Sequence, residues 1–179
     1  MKLVLLGYMG CGKSTIGKQL ASQLRLRFMD LDDYIEDKEQ ESIKNIFENK
    51  GEIYFRKIEA SYLIDLLNDN LYDIISVGGG TPCFGENLEI ININSTSVYL
   101  KASIPTLYER LKTEQNTRPL IKTIGLEKLE EFIGKHLFER GFFYNRAQKT
   151  MTVDNKSIEE IVTEIKIYLS LNTQWQHRF

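Results

Sequence analysis

Hydrophobic positions along the chain alternate between a strand-like and a helix-like pattern. The run Lys2 to Leu6 is almost continuously apolar, as in a parallel strand covered on both faces. After a glycine-rich turn, Ile16, Leu20, Ala21 and Leu24 recur at helical spacing, and Arg27 to Asp30 reads as a short second strand. From Ser42 to about Asn68 two helical patterns are separated near Gly51, with Ile43, Ile46 and Phe47 before it and Phe55, Ile58, Tyr62 and Leu66 after it. This block is expected to lie as an insert over the sheet.

Asp73 to Val77 reads as a third strand running into Gly78-Gly79-Gly80, and Thr96 to Leu100 as a fourth, followed by a helix from about Pro105 to Lys112. Apolar periodicity fades between Thr113 and Gly125, where Glu114 to Pro119 is polar and ends in proline, the pattern of a loop or lid. A long helix is expected from Glu127 to about Gln148, a fifth strand over Thr150 to Val153, and an amphipathic helix carrying Ile158, Ile161, Val162, Ile165, Tyr168 and Leu169. The tail from Asn172 to Phe179 has no periodicity, which is compatible with disorder. The predicted architecture is α/β, with a parallel sheet, helices on both faces, and ligands at the carboxyl ends of the strands.

The 179 residues suit one domain, with 42% hydrophobic and 27% charged residues as in ordinary soluble proteins. The expected organisation is a single domain over residues 1–171 and a tail over 172–179. The first apolar run is too short for a signal peptide and no stretch is long enough to span a bilayer, so a cytoplasmic protein is expected. Twenty-three basic against 25 acidic residues give a charge of −2, which offers no general attraction for nucleic acid or anionic membrane. Two cysteines and two distant histidines indicate neither a disulfide framework nor a zinc cluster, leaving a hard cation on oxygen ligands.

Gly7-Tyr8-Met9-Gly10-Cys11-Gly12-Lys13-Ser14 fits G-x-x-x-x-G-K-[ST] between a predicted strand and a predicted helix, the context that defines a phosphate-binding P-loop. Its glycines let successive N–H groups turn toward phosphate oxygens, the start of the helix adds partial positive charge, and Lys13 reaches the β- and γ-phosphates. Ser14 supplies a hydroxyl for Mg²⁺, so ATP and Mg²⁺ are the implied cofactors, with Gly10, Cys11, Gly12, Lys13, Ser14 and Thr15 as the binding residues. Cys11 is read either as a thiol made reactive by Lys13 and the helix start or as a small residue the loop tolerates.

A GTPase switch is excluded by the absence of D-x-x-G and N-K-x-D elements. The third strand lacks a terminal aspartate, so the carboxylate near the metal is sought in Asp30-Leu31-Asp32-Asp33. In an extended chain Asp30 and Asp32 share one side and face the same cleft, with Asp33 turned away or capping the next helix. One carboxylate would then assist the metal and the other accept a proton from a substrate hydroxyl; simple helix capping is the other reading of this cluster.

The P-loop, the D-x-D of Phe28-Met29-Asp30-Leu31-Asp32, the stretch Gly51 to Glu59, the triplet Gly78-Gly79-Gly80 and Arg118-Pro119-Leu120 occur in an order that resembles the shikimate kinase family over nearly the whole chain. The resemblance implies transfer of the ATP γ-phosphate to the 3-hydroxyl of shikimate, in a fold like that of the nucleoside monophosphate kinases with sheet order 2-3-1-4-5. It implies a substrate-binding helical insert at about 32–60 and a lid at about 113–124. By the same resemblance Asp32 contacts shikimate and is the candidate base, and Asp30 and Ser76 lie in the outer shell of Mg²⁺. Arg56, Gly78, Gly79, Gly80 and Arg140 hold the substrate, with the two arginines at its carboxylate. Arg118 is the lid arginine, and Arg110 resembles a residue that stacks on adenine. A monomer is expected.

Planar guanidinium forks suit a compact carboxylate in a chain without a net positive field. Arg56 is also spaced to pair with Glu59 three residues along a helix. Phe142 stands where the family's R-x-P-x-Y pattern has proline, which leaves Arg146 as the alternative to Arg140. Two other functions fit the P-loop: a kinase of another small polyol acid or of a nucleotide, and a non-catalytic ATP-binding regulator.

Overall fold

A computed structural model of the chain describes residues 1–114, 119–173 and 175. Its five strands are β1 (Leu3–Leu6), β2 (Phe28–Asp30), β3 (Ile74–Ser76), β4 (Thr96–Lys101) and β5 (Lys149–Thr152). They pair in parallel in the order β2-β3-β1-β4-β5, the expected 2-3-1-4-5 sheet. β1 is central, and its alternating side chains serve two cores. Leu3 and Leu5 enter one cluster, and Val4 and Leu6 enter the other, all fully buried. That two-sided burial is why the run has no polar alternation.

The helices among the described residues are α1 (Lys13–Leu24), α2 (Leu31–Glu39), α3 (Ile43–Asn68), α4 (Asn87–Asn94), α5 (Ile104–Lys112), α6 (Pro119–Ile124), α7 (Leu126–Tyr144) and α8 (Ile158–Leu171). α1, α5, α7 and α8 contribute apolar residues to the first core, while α2, α3 and α4 contribute to the second. Ser42 caps α3 by accepting from Asn45 N–H, and Ser157 with Glu160 forms a capping box on α8. The expected break near Gly51 is a kink inside α3, where Gly51 takes φ 79° and ψ 171°. The turn re-aims the second half of the helix, so that Phe55, Leu63 and Leu66 pack inward and Glu59 is buried with them.

Several elements differ from the pattern-based expectation. α2 starts directly at the end of β2 and α4 fills the connection to β4; neither carries a strong apolar stripe of its own. The polar stretch after α5 contains α6, with Ile121 fully buried. α7 ends at Tyr144, and the chain turns before β5. In the tail, Trp175 is fully buried and its indole N–H donates to Thr96 Oγ1 at 3.0 Å. One large aromatic with a placed hydrogen-bond partner fixes its own position in a stretch of sequence that has no periodicity.

Candidate active site

The P-loop occupies the turn from β1 into α1. Gly12, at φ 102°, sits at the N-cap of α1 in a left-handed conformation that a side chain would strain. No side chain caps this helix, which leaves its N-terminal end uncapped by protein, as an anion site requires. The Lys13 ammonium donates to the carbonyls of Gly7 at 2.8 Å and Tyr8 at 3.1 Å, lying along the loop. From α5, Arg110 Nη1 donates to the Gly10 and Cys11 carbonyls at 3.2 and 3.1 Å and braces the loop from outside. Asp154 in turn holds the start of α5 by accepting from Ser103 N–H at 2.9 Å.

Cys11 is fully buried and belongs to the first hydrophobic core. Its thiol faces packed side chains rather than solvent, so of the two sequence readings the structure supports the small residue tolerated by the loop.

The two aspartates converge by a different route from strand alternation. Asp30 is the last residue of β2 and also the N-cap of α2, accepting from Asp32 N–H at 3.0 Å. Asp32 therefore stands in the first turn of a helix. Capping and a role in the cleft coexist, with Asp30 rather than Asp33 as the cap. The other oxygen of Asp30 accepts from the hydroxyls of Ser14 and Ser76, each at 2.6 Å. P-loop, β2 and β3 thus meet in a cluster of oxygens at the carboxyl edge of the sheet.

The Asp32 carboxyl retains a partly open face toward the cleft, but protein surrounds it closely enough to raise its pKa to about 7. Burial is the main cause, reinforced by the negative charges of Asp30 and Glu59 and opposed by Lys13. A carboxyl tuned to this range suits proton transfer near neutral pH.

Beyond Asp32 lies the glycine triplet after β3. A cleft of about 540 Å³ is lined by Gly10, Cys11, Gly12, Lys13, Ser14 and Thr15 on one wall and by Asp30, Asp32, Gly78, Gly79 and Arg110 on the others. Arg140 lies next to Gly79 of this lining, and Arg56 lies against Gly80, the next residue of the triplet. The Arg56 guanidinium packs on Gly80 so closely that a Cβ there would lie 2.9 Å from Nη2. It donates to Glu59 Oε2 at 2.9 Å and lies near the rings of Phe55 and Phe84. The spacing to Glu59 is as foreseen, but this pair is largely buried rather than a surface pair, with Glu59 only 1% exposed.

A Cβ on Gly79 would lie 3.4 Å from Arg140 Nη1 and 3.5 Å from the Tyr144 hydroxyl. Tyr144 donates to the Gly79 carbonyl, and its own pKa is raised by burial. Arg146 instead pairs with Glu89 at 2.6 Å on the exposed side of the molecule, whereas Arg140 is the one of the two that lies beside Gly79. Arg118 lies outside the described residues.

Some site residues escaped sequence reasoning. Glu59 was visible only as a partner for Arg56, yet it also accepts from Thr81 Oγ1 at 2.6 Å and ties α3 to the turn after the triplet. Tyr8 and Tyr144 carry no role of their own in the sequence reading, and Lys156 and Ile158 at the start of α8 line the same cleft as the P-loop. Only the tertiary fold brings these together.

A P-loop at the central strand of a 2-3-1-4-5 sheet, with a carboxylate and guanidinium cluster beside it, defines a P-loop kinase fold. A profile of the shikimate kinase family matches residues 9–170, so the chain belongs to the shikimate kinase family. The shikimate kinase of Flavobacterium johnsoniae is 51% identical over 165 residues, covering 92% of this chain and 96% of that protein. That of Flavobacterium psychrophilum is 44% identical over the same shares. Among solved structures, shikimate kinase from Bacteroides thetaiotaomicron superposes with a TM-score of 0.88 at 33% identity, covering 95% of this chain and 98% of that one. A shikimate kinase from Acinetobacter baumannii in complex with shikimate gives a TM-score of 0.84 at 29% identity, covering 96% and 94%.

Proposed function

We propose that this protein transfers the γ-phosphate of ATP to the 3-hydroxyl of shikimate, as a cytoplasmic monomer with its acceptor insert at about 32–60 and its lid at about 113–124. Among the described residues no helix is long and apolar enough to cross a membrane. The observation that carries the reading is the meeting around Gly78–Gly80 of a carboxyl raised to about 7 with two guanidinium groups, beside a P-loop. This set fits an acceptor that presents a hydroxyl to be deprotonated and a carboxylate to be gripped.

The donors Ser14 Oγ, Ser76 Oγ and the Asp30 carboxylate are all oxygens, a set that fits a hard cation such as Mg²⁺. Ser14 and Asp30 would hold the ion, with Ser76 behind Asp30, and when bound it supplies charge neutralisation on the phosphate oxygens.

The first-turn amides of α1 and Lys13 orient the phosphates, and Thr15 and Arg110 border the rest of the nucleotide. Arg56 and Arg140 fix the acceptor through its carboxylate, with Gly79 and Gly80 allowing close backbone approach. Asp32 accepts the proton of the attacking hydroxyl. Arg118, on the lid, stabilises charge during transfer, and lid closure excludes water that would otherwise hydrolyse ATP.

An ADP-release assay with Mg²⁺, run with and without shikimate and then with a panel of other small hydroxy acids and nucleotides, tests the reading. Release that depends on shikimate is expected. Equal release with another acceptor would move the function to a different kinase, and none with any acceptor would leave a nucleotide-binding regulator.

A further inference from the structure

Tyr8, in the P-loop, is used by neither the phosphate site nor the proton transfer just described. Its ring is 1% exposed, and its hydroxyl is hydrogen-bonded to His136 Nδ1 at 3.2 Å. The Arg140 guanidinium carbon lies 5.6 Å from the centre of that ring. His136 stands one turn before Arg140 on α7, packs edge-on to Tyr8 at 6.1 Å and is itself packed in a tilted contact against Phe132 at 4.0 Å.

These contacts make a chain from the phosphate loop to the acceptor end. The ring face of Tyr8 carries the guanidinium of Arg140, and His136 holds the ring from behind through its hydroxyl. Arg140 needs such support more than Arg56 does. Arg56 is oriented by Glu59 at 2.9 Å, whereas among the described residues no carboxylate forms an ion pair with Arg140. A guanidinium over an aromatic face keeps its full charge for an incoming anion while losing rotational freedom, because the ring attracts it through a quadrupole and not through a neutralising counter-charge.

We propose that Tyr8, held by His136, is a positioning residue for the acceptor carboxylate: it fixes Arg140 in place and couples the geometry of the P-loop to that of the acceptor site. The proposal rests on the reading of Arg140 as a carboxylate contact.

Steady-state kinetics on the full chain test it, with KM for shikimate and for ATP measured separately. Tyr8→Leu removes the ring face and is expected to raise KM for shikimate about three- to tenfold, the range of a partly desolvated cation–π contact, while KM for ATP moves less. Tyr8→Phe keeps the face and is expected to recover most of the affinity. His136→Leu, at a half-buried position outside the loop, is expected to match Tyr8→Phe and to add nothing to it. In an Arg140→Ala background, Tyr8→Leu is expected to have no further effect on shikimate affinity.

Equal rises in both KM values, or effects that add in the Arg140→Ala background, would overturn the positioning role and leave the Arg140 reading intact. Unchanged shikimate affinity in Arg140→Ala alone would overturn that reading, and this proposal with it.

Discussion

In the proposed site the groups that would face the phosphates come almost entirely from one stretch, Gly7–Ser14, whereas the acceptor side would take Asp32 from α2, Arg56 and Glu59 from α3, Gly79 from the turn after β3 and Arg140 from α7. In the first region a local backbone conformation creates the function, so neighbouring amides act as a unit. In the second, each side chain is held by a separate partner: Asp32 by the turn that Asp30 caps, Arg56 by Glu59, and Arg140 by Tyr8. Substitutions on the acceptor side should therefore separate cleanly into effects on turnover and effects on acceptor affinity, with ATP affinity as the internal control.

The largest separation is expected at Asp32. Asp32→Asn keeps shape and hydrogen-bonding capacity but cannot accept the proton, so kcat should fall about 10²- to 10⁴-fold with KM for ATP nearly unchanged. In the unmodified protein, kcat/KM for shikimate should rise with pH and level off above about 7, as the carboxyl ionises. A variant of near-normal turnover would remove Asp32 from the role of base.

Next in size is the contrast between the two arginines of the 140s. Arg140→Ala should raise KM for shikimate by about 10- to 100-fold, the worth of a charge-assisted hydrogen bond. Arg146→Ala should change it less than about twofold, since an exposed pair such as that with Glu89 contributes little. The opposite result would place the acceptor carboxylate on the other side of α7.

A smaller effect is expected from Glu59→Gln. It removes the charge that orients Arg56 while keeping an acceptor for Thr81, so KM for shikimate should rise about three- to tenfold. It also removes a negative neighbour of Asp32, so the acid limb of the pH profile should move to lower pH. Movement of the limb without a change in KM would show that Glu59 acts on Asp32 alone.

The same contrast explains what could be read in the sequence. Gly7–Ser14 announces itself because its conformation demands particular residues at fixed local spacing, and the two-sided burial of β1 is plain in Leu3-Val4-Leu5-Leu6. Asp30 and Asp32 were legible as a pair, but their geometry was not. Strand alternation and a helix cap predict the same two residues in the cleft, and only the start of α2 decides between them. Arg56, Gly79 and Arg140 came from resemblance, since nothing in their own neighbourhoods distinguishes them from surface arginines or a loop glycine. Tyr8, Tyr144 and Trp175 were illegible for a further reason. A buried aromatic has the same local signature whether it fills a core, donates to the Gly79 carbonyl as Tyr144 does, or donates to Thr96 as Trp175 does.

The smallest expected effect tests whether the acceptor side is built at the expense of stability. Unfolded Asp32 should titrate near the ordinary value of about 3.9, whereas in the fold its pKa is raised to about 7. Between these values the folded protein holds a proton that the unfolded chain has released, so stability from this group falls as pH rises from about 4 to about 7 and stays low above that. Asp32→Asn carries no charge at either end. Without nucleotide at pH 8 it should melt about 2–4 °C above the unmodified protein, corresponding to ~1 kcal/mol in a chain of this size. Solvent in the cleft screens the carboxylate and keeps the gain small. Near pH 4 the two should melt close together. If the variant instead melted lower at pH 8, the attraction of Lys13 would outweigh burial, and Asp32 would be an ordinary ionised carboxylate held for structure rather than a base tuned for proton transfer.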